Sequence, residues 1–231
     1  MLNKDGRKGR ILWKRKLDSS SLSIYTNSRP LILDKKVINP GSNGIFHVLN
    51  INSGNLIYSD ILGASNRGVR FFDNNDIIAN PIFKHPYLYI TSHSENISAY
   101  DLTSYNNVWS LPIGSQNTPV ISGKTIFNID NKGVLFAIDK NNGLVRWKKK
   151  FQTEKITGTL FEKKKWINFS GPYLVGNKLL LLDNEQTIYL INPDDGNIES
   201  KKELIGNVVS ALFFTNQIVF LFSNGKISSY N

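Results

Sequence analysis

The sequence predicts an all-β propeller of about five four-stranded blades, either an incomplete (N-terminally truncated) ring or a small closed one. Three observations carry this. One repeat runs through the 231 residues without an internal slip. The apolar runs are short, rich in Val, Ile, Leu, Phe and Tyr, and separated by Gly, Asn, Asp and Lys. No stretch of eleven or more residues follows the 3.6-residue period of an amphipathic helix.

Each copy of the repeat is anchored on a proline after a short polar stretch: Pro30, Pro81, Pro119 and Pro172. Fourteen residues on stands a turn residue: Gly44, Glu95, Gly133 or Gln186. Six further, Asn50, Asp101, Asp139 or Asn192 closes an apolar strand, and eight beyond that comes Tyr58, Trp109, Trp147 or Ser200. A fifth copy keeps step from Ala211 through Gly225 to Asn231. Anchors fall alternately about 38 and 52 residues apart, near the period at which one unit makes one blade.

In chain order, residues 1–17 read as the outer strand of a partial blade, centred on Ile11 to Leu17. Residues 18–58, 59–109, 110–147 and 148–200 read as full blades, and 201–231 as a last blade without its outer strand, all within a single domain over 1–231. The copy at Thr118 is the clearest. Its strands are Pro119 to Ile121, Thr125 to Ile129, Val134 to Ile138 and Leu144 to Trp147. Its turns hold Gly, Asn, Asp and Lys, several of which tolerate positive φ. A lone blade cannot cover both its faces, so stacking supplies the core. Trp13, Tyr58, Trp109 and Trp147 are the residues expected to fill the seams, with Gly143 and Gly196 in the adjoining turns. Each indole N–H then needs an acceptor, expected to be a backbone carbonyl of the next blade. Two arrangements stay open: an N-terminal strand completing the last blade in a closed ring, marked by Trp13 against Leu221 or Ile227, or an open arc.

Composition narrows the function. Lys+Arg 28 against Asp+Glu 18 gives net charge +10. With 40% hydrophobic residues, the chain can bury a core. No apolar run is long enough to cross a bilayer as a helix, and the basic N-terminal residues lack the apolar stretch of a secretory signal. With no cysteine, disulfides, thiol nucleophiles and cysteine metal sites are excluded.

The run Ala137-Ile138-Asp139-Lys140-Asn141-Asn142-Gly143-Leu144-Val145-Arg146-Trp147 carries the A-x-D-x-x-x-G-x-x-x-W core of the quinoprotein (PQQ) repeat. Weaker copies run from Ala99-Tyr100-Asp101 to Trp109, and from Leu190-Ile191-Asn192 to Gly196. Within this repeat family the chain resembles the C-terminal part of BamB-type propeller lipoproteins of outer-membrane β-barrel assembly. That resemblance implies a non-catalytic scaffold on the periplasmic face of the outer membrane. Its implied partners are the periplasmic domains of the barrel insertase, other subunits of the assembly machine and unfolded barrel substrates. It also implies contact residues: Leu22, Ile24 and Tyr25 in one loop, with Tyr25 where the family has an arginine, and Asp76 in a second, with Ile78 where the family has another aspartate. The apolar pair Leu22 and Ile24 in the Ser-rich SSSLSIY stretch also suits a docking anchor on its own chemistry. Phe71 and Phe72 precede Asp73 to Asp76 in the second loop.

Two other functions draw on parts of the same sequence. A PQQ-dependent dehydrogenase shares the repeat, but the aspartates Asp73, Asp76, Asp101, Asp130, Asp139, Asp183, Asp194 and Asp195 fall mostly in turns, where capping explains them. His47, His85 and His93 are scattered, so no catalytic residue, metal or cofactor is expected. A nucleic-acid-binding propeller would use Lys148 to Lys150, Lys155 and Lys163 to Lys165 with Phe151, Phe161 and Trp166 interleaved for stacking. A solvated basic connection explains the same residues, and no nucleic acid is expected as partner. Attraction to an anionic membrane surface is a third use for these lysines.

Overall fold

A computed structural model describes residues 2–4, 11–17, 28–63, 75–94, 96–157, 163–214 and 217–230. The chain forms two compact units, residues 1–118 and 119–231. No α-helix occurs among the described residues, only a 3-10 turn at Ser42–Gly44.

The first unit opens with a two-stranded sheet, β1 (Leu2–Lys4) and β2 (Ile11–Lys14). Two four-stranded sheets follow. The first is β3 (Leu31–Leu33), β4 (Lys36–Pro40), β5 (Ile45–Asn50) and β6 (Leu56–Ile61). The second is β7 (Ile82–Lys84), β8 (Tyr87–Thr91), β9 (Ile97–Asp101) and β10 (Asn107–Leu111). The second unit has β11 (Val120–Ser122), β12 (Thr125–Ile129), β13 (Val134–Asp139) and β14 (Val145–Lys150). A hairpin, β15 (Glu154–Thr157) and β16 (Lys163–Trp166), precedes β17 (Phe169–Val175), β18 (Lys178–Asp183), β19 (Thr187–Ile191) and β20 (Ile198–Glu203). A three-stranded sheet ends the unit: β21 (Val208–Phe214), β22 (Gln217–Phe222) and β23 (Ile227–Tyr230). Every sheet is an antiparallel meander in sequence order.

The middle strand β18 is apolar on both faces because sheets cover it from both sides. In Leu179-Leu180-Leu181 of β18, alternate side chains enter different cores. Leu179 and Leu181 pack with Phe127, Ile129 and Leu135 of the preceding sheet. Leu180 packs with Ile218, Phe220 and Phe222 of the following one. Each such burial stabilises by about 1.5–3 kcal/mol. Outer strands carry the water-facing residues, and all six of β20 are exposed.

The turn between third and fourth strands is built identically in four sheets. The side-chain oxygen of Asn50, Asp101, Asp139 or Asn192 accepts the N–H two residues on, at 2.7–2.9 Å. Its carbonyl accepts the N–H four residues on, from Gly54, Tyr105, Gly143 or Gly196. All four of these residues have positive φ. The Asp139 carboxyl is held below the usual carboxylate range, first by Arg146 and then by the Asn141 N–H.

Two expectations are corrected here. Residues 1–17 hold two strands where one was expected, so the strand at Ile11 has a partner beside it. It pairs with β1, Asn3 opposite Trp13, and the register slips at the next residue as it does beyond Ala137 opposite Trp147. The two N-terminal strands are matched to each other as a third and fourth strand are, and Trp13 turns to Ile51 and Gly54. The lysine-rich connection is likewise not plain loop. Lys148 to Lys150 end β14, and Lys163 to Lys165 form most of β16.

Candidate docking loops and the seams that hold them

The two expected contact loops join the outer strand of one sheet to the inner strand of the next. Leu22, Ile24 and Tyr25 of the first, and Phe71, Phe72 and Asp73 of the second, lie outside the described residues. The stems of both loops are described, and they are tied together. Ser28 Oγ donates to Ala79 O at 2.8 Å, and Arg29 N–H donates to Asn80 Oδ1 at 2.8 Å. Asn80 N–H in turn donates to Thr118 Oγ1 at 3.0 Å. Sequence reading missed these residues, since nothing local marks a polar side chain as a partner fifty residues away.

Asp76 is not a surface contact. It is fully buried, and its carboxylate accepts the N–H of Asn43 at 2.8 Å. The reason lies in the turn that precedes β5, where Asn43 and Gly44 both have positive φ and the Asn43 N–H bonds outside the strand ladder. Asn75 beside it donates Nδ2–H to Leu62 O at 3.2 Å. A Cβ on Gly44 would stand 2.6 Å from that nitrogen, so glycine is required twice over. On the other side, the carbonyl of Asp76 accepts the His93 N–H at 2.8 Å. Burial holds the His93 imidazole below its ordinary pKa, against the opposing pull of the Asp76 carboxylate. The segment 75–80 is therefore a clamp between the turns of two sheets, and Ile77 and Ala79 are buried with it.

Two of the seams share one construction, and a third departs from it. Trp13 Nε1–H donates to Ile51 O at 2.7 Å, and Trp147 Nε1–H to Pro193 O at 3.0 Å. Both carbonyls follow directly on the turn residues Asn50 and Asn192. Each indole lies on the turn glycine: a Cβ would meet the Trp13 ring at 2.6 Å on Gly54, and the Trp147 ring at 2.8 Å on Gly196. The exception is the Tyr58 seam. Tyr58 stacks on Tyr105, centroids 4.9 Å apart and planes at 22°, and Tyr105 stands where the other turns have glycine. The equivalent carbonyl, that of Leu102, is taken by Lys36 Nζ at 3.2 Å, whose ammonium also sits 5.1 Å from the Tyr105 ring centroid. Asp60 accepts the hydroxyls of both Tyr58 and Tyr100, at 3.2 and 2.9 Å, bridging two sheets. Burial first, then the Asp60 charge, pushes the Tyr58 phenol up to about 12. Trp109 is buried against Tyr89 of its own sheet.

The remaining candidates have structural duties. Asp101, Asp130, Asp139, Asp183 and Asp195 each accept backbone N–H groups in turns. His47 is buried in β5, in the first four-stranded sheet, whereas His85 and His93 flank β8 in the second. Phe151 packs in the core against Phe169 and Tyr189, so it is not available for stacking on a nucleobase. Among the described residues no three His, Asp or Glu side chains gather as a metal site.

The sequence of a family described as "Outer membrane protein assembly factor BamB" matches residues 1–149, well over half the chain. The chain belongs to the BamB family. BamB of Moranella endobia (strain PCIT) is 24% identical over 220 residues, covering 95% of this chain and 54% of that protein. BamB of Yersinia pestis is 23% identical over 196 residues, 85% of this chain and 47% of that one. The chain spans about half the length of the curated relatives it matches. In the solved structures, BamB from Moraxella catarrhalis superposes with a TM-score of 0.79 at 19% identity, over 99% of this chain and 65% of that one. A computationally designed protein, Ika8, reaches 0.61 at 13% identity, over 87% of this chain and 57% of its own. The BamB likeness shows the fold to be that of propeller blades, in line with the repeat read from the sequence. Both loop stems and all five aromatic seam residues named above (Trp13, Tyr58, Tyr105, Trp109 and Trp147) fall in the 1–149 stretch that matches the BamB family.

Proposed function

We propose that this chain is a non-catalytic scaffold in the assembly of outer-membrane β-barrel proteins. Loops on its blades dock onto the periplasmic domains of the barrel insertase, beside other subunits of the same machine, on the periplasmic face of the outer membrane. Leu22, Ile24 and Tyr25 make the contact, and Asp76 fixes the stem from which the second loop departs. The BamB-family match over residues 1–149, which spans both loops, is the observation that carries this reading. The bonds from Ser28 to Ala79 and from Arg29 to Asn80 support it, because they start the two loops from one place. A contact surface split over two loops loses less entropy on binding when its stems are already fixed. Turn-capping by the aspartates supports a scaffold over an enzyme, since it leaves them a structural role.

The test is capture of the full chain by immobilised periplasmic domains of the insertase. Wild type is expected to be retained, and the double substitution Leu22→Arg, Ile24→Arg to be lost while its β-sheet circular dichroism is unchanged. Full retention of the folded double variant removes these residues from the contact. Failure of the wild-type chain to bind overturns the scaffold reading.

A further inference from the structure

Prolines anchor the first three copies of the repeat, and the residues just before them form one relay. Arg29, Asn80 and Thr118 precede Pro30, Pro81 and Pro119. The Arg29 N–H donates to Asn80 Oδ1 at 2.8 Å, and the Asn80 N–H donates to Thr118 Oγ1 at 3.0 Å. Donor and acceptor lie 51 and 38 residues apart, the spacings of the prolines themselves. The backbone at this position is thus held by the side chain at the same repeat position of the next copy. A residue before proline is confined to extended backbone, which fixes the direction of its N–H. Each of the three stands ahead of the first strand of its sheet, β3, β7 or β11.

Forming a four-stranded sheet does not demand such an acceptor. In the copy at Pro172 the position is Gly171, which has no side chain to accept with, yet β17 to β20 form a complete sheet. Arg29 and Asn80 are set apart by what they follow. Arg29 closes the stretch that holds Leu22, Ile24 and Tyr25, and Asn80 closes the one that holds Phe71 and Phe72. Tyr25 is four residues before Arg29, within about 14 Å of it even on a fully extended chain. The segment that carries Asn80 is itself fixed. The Ile77 N–H donates to Gly41 O at 3.1 Å, and Ala79 O accepts from Ser28 Oγ at 2.8 Å.

We propose that Asn80 is the positioning residue for the two docking loops: its side chain holds the stem of the first, Thr118 holds Asn80, and the stems are thereby kept at one spacing. Asn80 has this role only if the loops dock as proposed above. Without the Asn80 acceptor, the first stem has to be ordered on binding instead of beforehand. Affinity then falls about fivefold, the weight of one net hydrogen bond.

Affinity of the full chain for the insertase's periplasmic domains, measured beside amide hydrogen exchange, tests it. Asn80→Ala is expected to bind about fivefold more weakly than wild type and to expose the Arg29 amide to exchange. Asn80→Asp keeps the acceptor oxygen and is expected to restore both. Thr118→Val removes the acceptor of the Asn80 N–H and is expected to speed exchange at that amide and to weaken binding, and Thr118→Ser to restore both. Gly225→Ala destabilises a turn of the last sheet and is expected to bind as wild type does. Equal weakening in Gly225→Ala and Asn80→Ala reduces the effect to general destabilisation and overturns the role. An Arg29 amide as well protected in Asn80→Ala as in wild type overturns the tie. Wild-type affinity in a folded Asn80→Ala with that amide exposed overturns the positioning role and leaves the docking reading standing. Failure of the wild-type chain to bind overturns both together.

Discussion

A turn glycine on this scaffold has two separable reasons to be glycine, and two positions separate them. Gly196 has φ +75 and the ring of Trp147 where its Cβ would go, at 2.8 Å. Gly225 has φ +80 and no atom within 4 Å of that point. Gly225→Ala should therefore destabilise by the backbone term alone, about 1–2 kcal/mol. Gly196→Ala should add the displacement of the indole, about 1–3 kcal/mol more. Urea unfolding followed by circular dichroism measures both. Equal losses in the two variants would mean that the indole contributes nothing through its contact with Gly196. The turn itself was legible in the sequence, because Asn or Asp followed four residues later by Gly is a local signal. The burial of Asp76 was not, because its partner Asn43 is 33 residues away and only the folded turn brings that N–H to it.

At the scale of strands and seams, the tyrosine seam reads as a linked replacement. Tyrosine for tryptophan at 58 leaves room for a side chain at 105, and Lys36 supplies the donor that the missing indole would have given to Leu102 O. Tyr58→Trp alone should destabilise by about 1–3 kcal/mol through overpacking. Tyr105→Gly alone should lose the ring stack, worth about 0.5–1.5 kcal/mol. The double variant should recover the indole-on-glycine seam, with a favourable coupling of about 1 kcal/mol in the double-mutant cycle. Additive losses would break the link between the two positions. Position 58 was readable as a seam site from the repeat. The compensation by Lys36 was not, because it joins two sheets at residues that no period relates. The β15–β16 hairpin escaped for another reason: Lys-Lys-Lys-Trp has no apolar alternation, so charge disguised a strand.

At the scale of the molecule, the sheets are covered unevenly. The last sheet buries Ile218, Phe220 and Phe222 against its neighbour. Its other face presents Leu212 at 60%, Ile227 at 67%, and Phe214 and Leu221 to solvent. An exposed apolar face of this kind favours self-association. The chain is expected to form larger species as its concentration rises. Leu212→Lys with Ile227→Lys should shift that onset to higher concentration in light scattering. An unchanged onset would place the association elsewhere. Meander order was legible in the four-stranded sheets, since each is built from neighbours in sequence.

The indole-on-glycine seam occurs in each unit: Trp13 on Gly54 in residues 1–118, and Trp147 on Gly196 in residues 119–231. Each ring emits at shorter wavelength while its N–H is held on a carbonyl and at longer wavelength once water reaches it. A chain keeping Trp13 or Trp147 as its sole tryptophan thus carries an intrinsic fluorophore for one half of the molecule. Heating the two forms side by side would show one shared midpoint if the halves melt as a single cooperative body, and two if they come apart in turn.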